Sequence, residues 1–191
     1  VGANESGFGP APSVKQAMRE GAEDVWKYCD PENHDLRQAL ANHLALAPDQ
    51  IVVGEGIDGL LGLIVRQIVT QDTPVVTSLG AYPTFNYHVA GFGGRLVTVP
   101  YRDDREDLDA LLAAVKREGA PLVYLANPDN PMGTWNTSAD IVSFAQALPE
   151  QTLLVLDEAY GEMAPDGIIP ASNALLDNSN ILRMRTFSKA Y

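Results

Sequence analysis

Cysteine is nearly absent from this sequence: Cys29 stands alone among 191 residues. A single thiol closes no internal disulfide, which fits a reducing, cytoplasmic setting. In that setting the glycosylation sequons at Asn4 and Asn136 read as chance matches. Long apolar runs are absent too. No stretch approaches the roughly 18 apolar residues of a membrane span, so no membrane partner is expected. The N-terminus lacks the basic and apolar regions of a secretory signal. Positive charge is scarce, with 13 Lys and Arg against 25 Asp and Glu and a net charge of −12. Such a surface repels phosphate backbones at long range and excludes a nucleic-acid groove. It says nothing against a small anion held in a local pocket. Several catalytic signatures are missing as well: H-E-x-x-H, G-x-S-x-G and any metal-spaced Cys/His cluster. His34, His43 and His88 are isolated, which reads as surface or structural use, and no metal site is expected.

What remains is the composition of a globular protein, 46% hydrophobic and 20% charged, with 16 Gly and 13 Pro. Its length allows a sizeable core. Short apolar runs at 51–53, 75–79, 96–99, 122–125, 153–156 and 181–184 read as strands. Helical patterns lie between most of them. Leu36, Leu40 and Leu44 form one apolar stripe at i, i+4, i+8. Residues 109–118 carry Leu111, Leu112 and Val115, with Lys116 and Arg117 in the last turn, where cations suit the helix dipole. Thr137 to Asp140 resembles a capping box. Residues 60–69 are apolar almost all round, which predicts a buried helix. The opening residues, 1–12, are rich in turn formers and read as an extended arm before a helix at 13–19. There is no internal repeat and no low-complexity tract.

Strands alternating with helices predict an α/β fold: a three-layer α/β/α domain with a mostly parallel sheet. Ligands bind such sheets beyond the carboxyl ends of the strands. The chain stops at Tyr191, just after a strand and its loop, so it reads as truncated. The expected organisation is an N-terminal arm and helix over 1–30 and a large domain over 31–191, incomplete at its C-terminal end.

Two motifs mislead. Gly54-Glu55-Gly56-Ile57-Asp58-Gly59 matches G-x-G-x-x-G, and Asp72 lies near the expected acidic position. Asp72, however, sits in a turn ahead of a strand rather than at a strand's end, where a ribose would meet it. The phosphate-binding half of the motif stands, since glycines and a helix N-terminus suit an anion. Taken alone the motif also fits a ligand-free turn. The run Leu153 to Glu158 resembles the Mg²⁺-binding strand of an ATPase, but no G-x-x-x-x-G-K-[ST] precedes it.

The residues that follow strands carry the chemistry. Asp157 comes directly after four apolar residues, a costly place for a carboxylate unless a cation or donors compensate it. It could also simply cap the next turn. Tyr160 follows three residues later. The turn from Asn127 to Thr134 is stiffened by Pro128 and Pro131 and fixes Asn130 as a donor. After the last strand come Thr186, Ser188 and Lys189, two hydroxyls and an amine within four residues. An amine, a buried acid and phosphate donors at successive strand ends are what pyridoxal 5'-phosphate requires of a protein.

"NPDNPMGT", "VLDEAY" and "TFSKAY", in this order, resemble the fold-type I, class I/II pyridoxal-phosphate aminotransferases, and most of all the histidinol-phosphate aminotransferase branch. "NESGFGP" and "KYCDP…DLRQALANHL" extend the likeness from Asn4 to Tyr191. The resemblance implies roles. Lys189 would form the Schiff base and shuttle the proton. Asp157 would pair with the pyridine nitrogen, while Asn130 and Tyr160 bond the phenolic oxygen and Tyr82 stacks on the ring. Gly56, the N–H groups of Ile57 and Asp58, and the hydroxyls of Thr186 and Ser188 would hold the phosphate. Tyr28 would reach the cofactor of a neighbouring subunit, so the resemblance implies a homodimer with shared sites. The partners implied are an amino donor and a 2-keto acid.

The sequence departs from the branch at Gly59, where Glu is usual, at Cys29 for Pro and at Met132 for Thr. Phe8 stands where Tyr is common, which removes a donor for a substrate phosphate. A decarboxylase or lyase of the same fold, threonine-phosphate decarboxylase-like, shares this motif set, and a non-catalytic pyridoxal-phosphate-sensing domain of a regulator is the alternative of a different class. Product analysis separates the first, and an upstream helix-turn-helix would favour the second. A NAD-linked enzyme is the weakest alternative.

Overall fold

A computed structural model describes residues 4–178 and 180–191; of the expected arm, residues 1–3 lie outside them. The chain divides into two compact units, Val1–Val53 with Phe187–Tyr191, and Gly54–Thr186.

The described residues of the first unit form two α-helices and two short 3-10 turns. In α1 (Pro12–Gly21) the opening proline needs no hydrogen-bond partner for a missing N–H, and none of the ten residues is buried. Helix α2 (His34–Leu44) is the one read from the leucine stripe. It is bounded by Asn33 and Ala45, both left-handed at φ 51° and 54°. The Arg37 guanidinium donates to the Pro48 carbonyl at 2.7 and 3.1 Å, tying the helix to the turn after it. The strand expected over 51–53 does not form. The Ile51 N–H turns back to the Pro48 carbonyl at 3.3 Å, and no described strand pairs with the segment.

The second unit is a five-stranded parallel sheet with helices on both faces. Its strands are β1 (Pro74–Ser78), β2 (Arg95–Val99), β3 (Leu122–Ala126), β4 (Leu153–Asp157) and β5 (Ile181–Met184), in the order β2-β1-β3-β4-β5. The strands lack a clean polar-apolar alternation because both faces are covered. Instead the alternation selects which helix layer each residue meets. Val76, Val123, Leu125, Leu154 and Leu156 pack under α5 (Leu108–Glu118) and α6 (Ser138–Ala147). Val75, Leu122, Tyr124 and Val155 face α3 (Gly56–Ile68) and α4 (Pro83–Gly91). Burying a leucine side chain contributes about 1.5–3 kcal/mol, so these two layers dominate the stability of the unit.

Both helices of the α5/α6 layer start on side-chain caps, and the one at Thr137 is where the sequence places it. Asp107 accepts the Ala110 N–H at 3.1 Å to start α5, and Gly119 ends it at φ 61°. Thr137 and Asp140 form a reciprocal capping box for α6. Helix α3 differs from its expected burial: Leu61 and Val65 are buried, but Leu63 on the far side is 54% exposed. The helix has sheet on one side only, so composition overstated its burial. Among the described residues no helix is long and apolar enough to cross a membrane.

Topology fixes where a ligand can sit. The chain leaves β1 toward β2 and returns past β1 to β3, so the order reverses between β1 and β3. The loops at the carboxyl ends there splay apart and leave a crevice. Because the strands are parallel, helices α4, α5 and α6 each begin near that same end.

Candidate active site

Strand β4 delivers Asp157 to the carboxyl end of the sheet at 7% exposure. Its Oδ2 accepts the Tyr124 hydroxyl at 2.6 Å, and its Oδ1 accepts the Ala159 N–H at 2.9 Å. Among the described residues of the same unit, no arginine, lysine or histidine forms an ion pair with it. Burial therefore pushes its carboxyl above the usual range, against the pull of those two donors. Tyr124 comes from the neighbouring strand β3 and is itself buried, its ring stacked on Phe85 of α4 at 4.7 Å and 15°. Phe85 lies one turn inside the helix whose N-cap is Tyr82, and Tyr82 remains 43% exposed. A packed chain thus runs from the Tyr82 helix start through Phe85 and Tyr124 to Asp157.

The loop after β3 is closed by its own hydrogen bonds. Asn127 is buried; its amide donates to the Asn136 carbonyl at 3.2 Å, and its Oδ1 accepts the Asn136 N–H at 2.8 Å. Asp129 exchanges backbone bonds with Gly133 and Thr134. Asn130 is carried at the head of this fixed turn and is half-buried. Under the turn, Tyr101 donates to Asp129 Oδ2 at 3.0 Å. The Tyr101 ring passes so close to Gly80 that a Cβ there would stand 3.2 Å away, and Gly80 is left-handed at φ 103°. The left-handed turn favours glycine, and any side chain there would also push the Tyr101 ring back by a few tenths of an ångström.

Helix α3 begins at Gly56, at φ 72°, with open space where a Cβ would project. It has no side-chain cap, whereas α5 and α6 do. The N–H groups of Ile57 and Asp58 in its first turn have no intrahelical acceptor. The Asp58 carboxylate is turned aside to His88 of α4 at 3.0 Å. His88 is thus structural, as read from the sequence. Asp72 lies in the turn before β1, at the opposite end of the sheet from the strand ends described above.

Beside Asp157, Glu158 is 1% exposed and forms an ion pair with Arg183 of β5, with contacts of 2.9 and 3.2 Å. Arg183 also donates to the Pro170 and Ala171 carbonyls at 2.7 and 2.9 Å. This clasp ties β4, β5 and the loop between them. Tyr160 follows in the next turn, and Thr186 ends the unit two residues after β5.

The expected residues Gly56, Ile57, Asp58, Tyr82, Asn130, Asp157, Tyr160 and Thr186 all belong to this unit. Ser188 and Lys189 belong to the other, in a turn where the rings of Phe187 and Tyr191 meet edge to face at 5.7 Å. Tyr28 and Phe8 also belong to that unit, fully exposed. Sequence reasoning missed Tyr124, Phe85, Glu106, Asp129 and Arg183. The available signal was a tyrosine within an otherwise aliphatic strand run.

The family model for class I and II aminotransferases matches residues 1–191. The chain belongs to that family. This class I/II chain is 38% identical to a histidinol-phosphate aminotransferase of Anaeromyxobacter sp. and 35% identical to an aromatic amino acid aminotransferase of Thermobifida fusca. Each match covers all of the chain and 53% of the relative. Among solved structures, the histidinol-phosphate aminotransferase of Sinorhizobium meliloti, in complex with pyridoxal-5'-phosphate, is 70% identical with a TM-score of 0.98. That match covers 100% of this chain and 52% of the other. The chain thus spans about half the length of the relatives it matches.

Proposed function

We propose that this chain forms the cofactor-holding part of a pyridoxal-phosphate aminotransferase. It would move an amino group from an amino acid or an amino-alcohol phosphate resembling histidinol phosphate to a 2-keto acid. The observation that carries the reading is Asp157: a carboxylate at the end of a central parallel strand, buried, and held by a hydroxyl and an amide rather than by a cation of its own unit. A protonated pyridine nitrogen is the missing complement. The residues fit the rest of the cofactor as well. The uncapped first turn of α3, with open space over Gly56, suits a phosphate. The family membership and the names of the relatives support the same conclusion.

When bound, pyridoxal phosphate supplies an aldehyde carbon that takes up the amino group and a ring that delocalises the electron pair left at the substrate's α-carbon. Asp157 would hold the ring nitrogen's proton in place, with Tyr124 fixing the carboxylate. Asn130 and Tyr160 would donate to the phenolic oxygen, and Tyr82 would cover one ring face. Ile57, Asp58, Thr186 and Ser188 would hold the phosphate. Lys189 would anchor the cofactor covalently and then carry the proton on and off the α-carbon at Nζ. Tyr28, fully exposed, is proposed to reach the neighbouring subunit's cofactor in a homodimer. We place the protein in the cytoplasm, on the single thiol and on the absence of a helix able to cross a membrane among the described residues.

The test is a visible spectrum of the purified full-length protein, followed by borohydride reduction and peptide mapping. The expected result is a yellow protein whose reduced cofactor stays on Lys189. The yellow band should fade when an amino donor is added and return with a 2-keto acid. A protein that stays colourless after incubation with pyridoxal phosphate would overturn the reading.

A further inference from the structure

Two helices of the sheet-bearing unit carry an aspartate as their third residue, Asp58 in α3 and Asp140 in α6. From that position a carboxylate can reach back to the N–H of the residue before the helix and close its first turn. Asp140 does so: it accepts the Thr137 N–H at 3.2 Å and the Thr137 hydroxyl at 2.6 Å. Asp58 does not. Its Oδ1 meets Nε2 of His88 on α4 at 3.0 Å instead, and α3 is left without a side-chain cap. An ionised carboxylate only accepts, so this bond requires a hydrogen on Nε2. Glu55, the residue before α3, forms no cap either.

The His88 ring is placed for this bond by α3 itself. Gly62 lies four residues beyond Asp58, on the same helix face, and leaves the space that the ring occupies. A Cβ on Gly62 would stand 3.0 Å from Cε1 of the imidazole and 3.2 Å from Nδ1. On α4, Phe85 stacks on Tyr124 while His88, three residues later, reaches α3. Among the described residues of the unit, no other side chain hydrogen-bonds or ion-pairs with the Asp58 carboxylate. The bond packs α4 on α3, and it also fixes where the one carboxylate of the first turn of α3 can lie.

We propose that His88 is a positioning residue for the phosphate end of the cofactor. By holding the Asp58 carboxylate on the flank of α3, it leaves the first-turn N–H groups of Ile57 and Asp58 open to the phosphate. Released from His88, the carboxylate is drawn back toward the amide end, because a negative group gains from the positive end of a helix. There it competes for the same donors and repels a second anion. The capped start of α6 shows that outcome within the same unit. The inference rests on the aminotransferase reading, which supplies the phosphate; the geometry of Asp58, His88 and Gly62 does not.

The test uses the full-length protein, stripped of cofactor and titrated by absorbance with pyridoxal phosphate and, separately, with pyridoxal, which lacks the phosphate. H88L should bind pyridoxal phosphate about fivefold more weakly than the parent. Its affinity for pyridoxal should match the parent's. H88Q, whose amide nitrogen can stand in for Nε2 as the donor, should recover most of the loss. The deciding pair is D58A and D58A/H88L. With the carboxylate gone, these two should bind pyridoxal phosphate equally well, because His88 then has nothing to hold. H88N, whose shorter amide reproduces Nδ1 rather than Nε2, takes the place of H88L if the leucine variant does not fold, with the same expected loss.

A His88 that only packs the two helices together gives a different pattern. Its removal would weaken both ligands by the same factor, with Asp58 present or absent, and either result overturns the proposal. So does a folded H88L that binds pyridoxal phosphate as tightly as the parent. A parent that binds neither ligand sinks the aminotransferase reading and this proposal with it. A parent that binds pyridoxal phosphate, beside silent His88 variants, sinks the proposal alone.

Discussion

The two ends of the sheet are built on different rules. At the amino ends the buried polar side chain is Thr152, whose hydroxyl donates to the Ala120 carbonyl at 2.8 Å. Nearby, Asn180 closes the Thr152 and Pro149 carbonyls. All these groups are neutral and matched. At the carboxyl ends the unit buries four acids: Glu106, Asp129, Asp157 and Glu158. Each charge taken from water costs several kcal/mol unless compensated, and stability alone would not select such an arrangement. The compensation differs from acid to acid. Glu158 has an arginine, Glu106 accepts from Ser78 and Ala126, Asp129 from Tyr101 and Met132, and Asp157, among the described residues of its own unit, has only neutral donors. The end that carries the cost is the end where a ligand is expected, and Asp157 is the acid still suited to one.

That contrast can be broken most severely at Asp157. Asp157→Asn should lower the transamination rate by about 10²–10³-fold, the scale of losing one preorganised electrostatic partner. It should not destabilise the cofactor-free protein at neutral pH, because the charge removed is one that burial disfavours. Rate and thermal unfolding measured together would show it. Glu158→Gln should behave in the opposite way. It strands the Arg183 guanidinium, 17% exposed, and should cost about 3–5 kcal/mol in urea unfolding. If the two substitutions had the same sign of effect on stability, the distinction between the paired and the ligand-directed acid would be wrong.

The pH dependence follows from the same four acids. Burial raises the carboxyls of Glu106, Asp129, Asp157 and Glu158, for Glu158 in spite of Arg183. A carboxyl raised in the folded state holds its proton longer there than in the unfolded chain. Its contribution is fully present below the unfolded value, about 4, and is lost as pH rises through the folded value. The cofactor-free protein should therefore be more stable in mildly acidic than in mildly alkaline buffer. Added pyridoxal phosphate should flatten that slope by compensating Asp157. A cofactor-free midpoint that climbs with pH would contradict the burial of uncompensated acids.

A milder perturbation tests the link between Tyr82 and Asp157. Tyr124→Phe keeps the stack on Phe85 but removes the hydroxyl from Asp157 Oδ2. A hydrogen bond to a charged group contributes about 1.5–3 kcal/mol, so pyridoxal phosphate affinity should fall about tenfold or more. Unchanged affinity, read by fluorescence or absorbance titration, would mean that Asp157 is oriented by other groups.

Much of this was legible before any coordinates. Strand runs bounded by turns predicted the parallel sheet, because a strand buried on both faces must be apolar throughout. Asp157 was visible for the same reason: a carboxylate ending such a run has to be explained. Its supporting groups were hidden by their settings. Tyr124 looked like one more core residue, since nothing in a sequence tells where a buried hydroxyl points. Glu106 sits among Asp103, Asp104, Asp107 and Asp109, where an acid reads as solvated. Arg183 lies within an apolar strand and finds its partner only through the pairing of β4 with β5. The false strand at 51–53 and the overstated burial of α3 share a cause. Local hydrophobicity reports what a segment could bury, while pairing and layering decide what it does bury.

The smallest predicted effect lies at the quiet end of the sheet. Thr152→Val preserves shape and removes one neutral hydrogen bond, leaving the Ala120 carbonyl without that donor. The cost should be about 1 kcal/mol in urea unfolding. It should be the same in acid as in alkali, because no titrating group is involved, and pyridoxal phosphate affinity should not change. A pH-dependent cost would mean that the amino end senses the buried acids through the strands. A cost that stays constant, beside the pH-dependent effects at the other end, would locate the sheet's electrostatic burden at the carboxyl ends alone.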